Sequence, residues 1–116
     1  MDNSRLILQG TTYSYRTATG TAFITINHND AGEIREVFCN VGKAGSDVFS
    51  FSEAIGRLIS LIFQMPDNMG SGERTHLIIT QLEGIGGDRQ SVPDAVAQAL
   101  EKEYGKLIDA ILTDSL

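Results

Sequence analysis

Between Thr12 and Val41 the chain alternates β-branched or aromatic residues with polar ones, in three runs parted by turn sequences. No other feature narrows its fold as far, because a period of two places every second side chain on one face of a strand. Thr12 to Thr17 sets Tyr13 and Tyr15 on one side, Thr21 to Asn27 sets Ala22, Ile24 and Ile26 there, and Glu33 to Val41 carries Val37, Cys39 and Val41. Thr17-Ala18-Thr19-Gly20 closes a hairpin with glycine at its last position. His28-Asn29-Asp30-Ala31-Gly32 is rich in residues that tolerate left-handed backbone angles. The expected product is a three-stranded antiparallel meander whose apolar face must be covered.

The rest of the chain has the period to cover it. Phe51, Ala54, Ile55, Leu58, Ile59, Ile62 and Phe63 recur at helical spacing, with Ser50-Phe51-Ser52-Glu53 as a capping box and Pro66 as the stop. Gly56 inside this helix costs about 1 kcal/mol against alanine, so a close approach to the sheet backbone is expected there. Glu73 to Glu83, with Ile78, Leu82 and Ile85 at i, i+4 and i+7, reads as a short helix, although Leu77-Ile78-Ile79-Thr80 is also strand material. Gly84 to Asp88 breaks the chain. Ser91 and Asp94 then form a capping-box variant ahead of a long helix striped by Val92, Val96, Leu100, Tyr104, Leu107 and Ile111. The fold class is therefore α+β, a three-stranded antiparallel meander followed by two or three helices packed on one face. Residues 1–116 form one domain, with 1–9 as a flexible N-terminal segment.

A chain of 116 residues can build one real core. Its net charge of −6 repels phosphate backbones and anionic lipid, which argues against nucleic-acid and membrane binding. One cysteine cannot close an internal disulfide, and two histidines without metal-ligand spacing argue against a metal site. The opening residues lack the basic start and apolar core of a secretory signal, so a cytoplasmic protein is expected.

Local chemistry is sparse. Asn40 to Asp47 joins the last strand to the first helix, and within it Gly42, Lys43, Gly45 and Ser46 are candidate anion- or nucleotide-binding residues: glycines admit a ligand to the backbone, helix-start amides favour an anion, and Lys43 adds charge. The spacing is not that of a Walker A loop, Asp47 would oppose an anion, and a tight strand-to-helix turn explains the same glycines. Cys39, with no adjacent cation, reads as a buried structural thiol, with a nucleophilic cysteine as the competing reading. His28 and His76 read as solvated. Glu33, Glu36, Glu53, Glu73, Glu83, Glu101 and Glu103 read as carboxylates on polar faces, Glu53 pairing with Arg57.

Longer blocks say more. Gly20 to Asn27, Glu36 to Asp47, Glu53 to Leu61, Gln81 to Gly87 and Ser91 to Ala97 resemble, in order and spacing, the C-terminal TSCPD-type domain of adenosylcobalamin-dependent (class II) ribonucleotide reductases. Gln90-Ser91-Val92-Pro93-Asp94 stands where that family has Thr-Ser-Cys-Pro-Asp, so the signature cysteine is replaced by Val92 and no metal or redox role is implied for that position. The parent enzymes generate a thiyl radical and reduce the ribose with a cysteine pair, chemistry that needs at least three cysteines and a large cavity. The resemblance thus implies a free-standing or excised copy of an accessory domain, without activity alone. Catalytic and metal residues are expected to be none, and adenosylcobalamin enters by family association only. Such a module would dock to a large reductase chain or bind a nucleotide effector. A stand-alone phosphate or nucleotide binder at Gly42–Ser46 is the alternative. A homodimer is also expected to be possible, because a three-stranded sheet leaves two edges.

Overall fold

The computed structural model describes residues 8–42 and 45–115, in the order β1 (Gln9–Thr17), β2 (Gly20–His28), β3 (Ile34–Asn40), α1 (Asp47–Gln64), α2 (Ser71–Leu82) and α3 (Val92–Ser115). The strands form the expected antiparallel meander, with Tyr13 opposite Ile24 and Ile26 opposite Val37. Gly20 takes φ 128° at the end of the first turn, where the Thr17 hydroxyl donates to its carbonyl at 2.6 Å. In the second turn the Asn29 side chain accepts from the amides of Ala31 and Glu33. The expected flexible segment lies outside the described residues except for Leu8 and Gln9, and Gln9 already opens β1.

Ala22, Ile24, Ile26, Val37 and Cys39 share the inner face and are all buried. Val96, Ala99 and Leu100 of α3 close over β1 and β2, with Val96 and Leu100 each contributing about 1.5–3 kcal/mol by burial. α2 lies mainly against α3, whose Tyr104 ring sits so close to Gly72 that a Cβ there would strike the phenol oxygen.

α1 is placed differently, along the free edge of β3. The Val37 amide donates to Ser60 Oγ at 2.9 Å, the same hydroxyl donates to the Val37 carbonyl at 3.0 Å, and Gln64 Nε2 donates to the Arg35 carbonyl. These backbone groups point away from β2, so helix side chains satisfy an edge that would otherwise wait for another strand. Gly56 makes the approach possible: a Cβ there would lie 2.9 Å from the Val37 oxygen and 3.1 Å from the Cys39 nitrogen.

The helix starts correct the sequence reading. α1 begins at Asp47, not in the Ser50 to Glu53 box, because Ser46 is extended and its Oγ accepts from the Phe49 amide at 3.1 Å. Ser50 is already inside the helix, donating to the Ser46 carbonyl. Met65, preceding Pro66, is forced into extended geometry and ends α1. The segment around Leu77 is helical: Ile78 is buried while Leu77 and Thr80 are exposed. Ile85 lies past the end of α2 and is exposed, so it belongs to no helical stripe. Ser91 caps α3 by accepting from the Asp94 amide, but the Asp94 carboxylate does not complete the reciprocal box. Ile111 falls outside the described side chains.

Candidate docking surface

Gly42 and Gly45, the two described glycines of the strand-to-helix loop, take φ 77° and 89°, which only glycine adopts freely. Ser46 Oγ serves as the α1 cap. Lys43, the charged member of the candidate anion site, lies outside the described residues. The geometry therefore brings Gly42, Gly45 and Ser46 together as a turn.

Cys39 is buried on the inner face, and burial pushes its thiol up to about 11, partly offset by a hydrogen bond with Ser52. A thiol held protonated is not a nucleophile at neutral pH. His76 is exposed on α2, whereas His28 is half-buried with its Nδ1 unpartnered, a departure from the solvated histidine expected there. Among the described residues no group of three or more His, Cys, Asp or Glu could hold a metal ion.

Three buried charges escaped the sequence reading, and each fastens one part of the chain to another. The Arg74 guanidinium donates to the carbonyls of Ile62, Met65 (3.0 Å) and Met69 (3.0 Å) and pairs with Asp67, so it caps the end of α1 and shapes the following loop. Asp94 accepts from the Gly84 amide at 2.7 Å, from Gln98 and from Arg89 at 2.9 Å, which ties the glycine loop to α3. Burial pushes the Asp94 carboxyl up, but these hydrogen bonds outweigh it and hold it below the usual range. Glu103, expected on a polar face, is instead buried; it accepts from the Tyr13 hydroxyl at 3.0 Å and pairs with Lys106 at 3.3 Å. Burial, then the bond to Glu103, raises the Tyr13 phenol, and Lys106 Nζ sits 5.5 Å from its ring centre. Glu103 meets Tyr13 across 90 residues of sequence, while Arg74 and Asp94 find their partners within about a dozen residues, mostly as backbone groups that no side-chain pattern marks.

What the buried charges leave open is an apolar groove of about 480 Å³ between α1 and α2. Ile55, Leu58, Ile62 and Met65 form one wall and Leu77 with Leu82 the other, while the paired Arg74 and Asp67 reach its end. Leu58 is 60% exposed and Phe51, further along the same side of α1, is 66% exposed. Such a concentration of exposed apolar side chains is the mark of a surface made for contact. Apart from Gln81 and the paired Asp67 and Arg74, the groove is lined by apolar side chains.

A family model described as the TSCPD domain matches residues 4–104. The chain belongs to the TSCPD domain family. This domain is found in class II ribonucleotide reductases. No curated protein and no solved structure matches the chain significantly. Within the matched residues, at the start of α3, Ser91 is the helix cap, Val92 packs against the core, and Asp94 is the buried anchor of the preceding loop. Among the described residues no helix is long and apolar enough to cross a membrane.

Proposed function

We propose that this TSCPD chain is a non-catalytic accessory or binding domain of deoxyribonucleotide synthesis. It works in the cytoplasm by docking to a large class II reductase chain or by binding a nucleotide effector for that chain. The family match over residues 4–104 carries the reading. It is supported by the single, buried and protonated Cys39, since radical reduction of a ribose needs several reactive thiols. Adenosylcobalamin, which supplies radical initiation in that family, belongs on this reading to the catalytic chain. Native mass spectrometry of the protein mixed with a class II catalytic chain tests the proposal. A defined complex, or an altered turnover of that chain, is expected; neither appearing would overturn it.

The second reading, phosphate or nucleotide binding at Gly42–Ser46, is favoured by the two left-handed glycines ahead of α1. Ligand at about 100 times its Kd adds about 2.7 kcal/mol of stability, a midpoint shift on the order of 10 °C in a domain this small. A flat thermal-shift profile across nucleotides and inorganic phosphate would leave the loop purely structural.

A further inference from the structure

We infer that the outward apolar face of α1, with the groove it shares with α2, is the contact between two copies of this chain, joined about a two-fold axis. The inference goes beyond the accessory reading and does not depend on which catalytic chain the domain serves.

α1 carries two apolar stripes rather than one. Ser52, Gly56, Ile59 and Phe63 form the buried stripe against β3 and the core. Phe51, Leu58, Leu61 and Ile62 form the other, turned about 130° away at 100° per residue, and Met65 continues it just past the end of the helix. Phe51, Leu58 and Met65 recur every seven residues and Leu61 follows Leu58 by three, the spacing of a heptad seam by which one helix seats against another, with Ile62 flanking it. Yet this stripe meets no helix of its own chain squarely: Phe51, Leu58 and Leu61 are 66, 60 and 59% exposed.

Area and charge identify the occupant. With about 150–200 Å² for a fully exposed side chain of this size, these five and Leu77 present roughly 550 Å² of apolar surface. Two copies face to face would remove up to roughly 1,100 Å² from water, which with a polar rim reaches the ~1,000 Å² a specific interface requires. The face is also electrically neutral. Glu53 and Arg57 beside it pair with each other at 3.6 Å, and Asp67 is paired with Arg74. A chain of net charge −6 repels its own copy over most of its surface, but not here. A two-fold contact needs a self-complementary surface, and the α1 ridge beside the α1–α2 groove is one, each ridge able to seat in the other copy's groove.

Light scattering after size exclusion, over a dilution series of the purified protein, tests the inference. A mass twice that of the 12.6 kDa chain is expected at micromolar concentration and above. Leu58→Glu and Leu61→Arg should each raise the dimer dissociation constant at least 100-fold while circular dichroism stays that of the wild type. Phe23→Glu, on the outer face of the sheet, should leave the dimer intact. A single-chain mass at every concentration overturns the inference, as does a dimer that survives both α1 variants. If the wild type is monomeric alone but Leu58→Glu abolishes a complex with a catalytic chain, self-association is refuted and the accessory reading stands. A wild-type dimer that forms no such complex is the reverse case.

Discussion

At the scale of single residues, the chemistry of this protein is one of buried groups held quiet. Cys39 combines burial on the inner sheet face with a thiol pushed up to about 11. A thiol reagent at neutral pH should therefore modify the native protein negligibly and react at one site per chain once denaturant passes the unfolding midpoint; rapid labelling without denaturant would contradict this. Asp94 gives a pH signature. Its folded pKa is depressed, so its contribution is complete above the unfolded value near 3.9 and is lost as pH falls through the folded value. Asp94→Asn is expected to cost about 1–3 kcal/mol in urea unfolding at pH 7, and to lose less stability than the wild type between about pH 5 and about pH 3. The inner-face residues Ile24, Ile26, Val37 and Cys39 were legible because alternation is a local property. Asp94 was legible only as a helix-start residue, since its carboxylate turns to the Gly84 amide rather than to the cap, and Glu103 was not legible as buried because it follows a polar helical pattern until Tyr13 arrives from β1.

Among the elements, α1 departs most from a simple amphipathic reading. Taken as one stripe, Phe51 to Phe63 looks like a single core-facing side. The structure divides it, because the helix borders the β3 edge through Gly56 and Ser60 and turns only Ile59 and Phe63, with Ser52 and Gly56, fully inward. The start of α1 was misread for a related reason: Ser46 and Ser50 both suit a cap, and the glycine at φ 89° before Ser46 decides between them. The close approach at Gly56, by contrast, was legible from its cost alone. Gly56→Ala is expected to destabilise the protein by about 1–3 kcal/mol in chemical denaturation, despite a propensity gain of about 1 kcal/mol, since the new methyl meets β3 backbone that cannot swing aside. Arg74→Ala should cost about 3 kcal/mol, because it strips the carbonyls of Ile62, Met65 and Met69 of one shared donor. Hydrogen exchange should then quicken first in the last turn of α1 and the loop to α2; a uniform change along the chain would argue against a local clamp.

For the molecule as a whole, sequence order and spatial order run against each other. The first hairpin is fastened to the last loop, the Ala18 amide donating to the Gln90 carbonyl at 3.1 Å, and the side chains that roof β1 and β2 come from α3. The family and the α+β plan were legible because their blocks are long and their periods regular. The function of the strand-to-helix loop was not, since its glycines suit a turn as well as a ligand and Lys43 lies outside the described residues. The late position of α3 also bears on biosynthesis. As the polypeptide leaves the ribosome its hairpin emerges early, but Val96, Ala99 and Leu100 follow only after some seventy further residues. A nascent chain halted before them lacks the side chains that cover Ile24 and Ile26, so a premature stop there leaves an apolar sheet face fit for aggregation or chaperone capture.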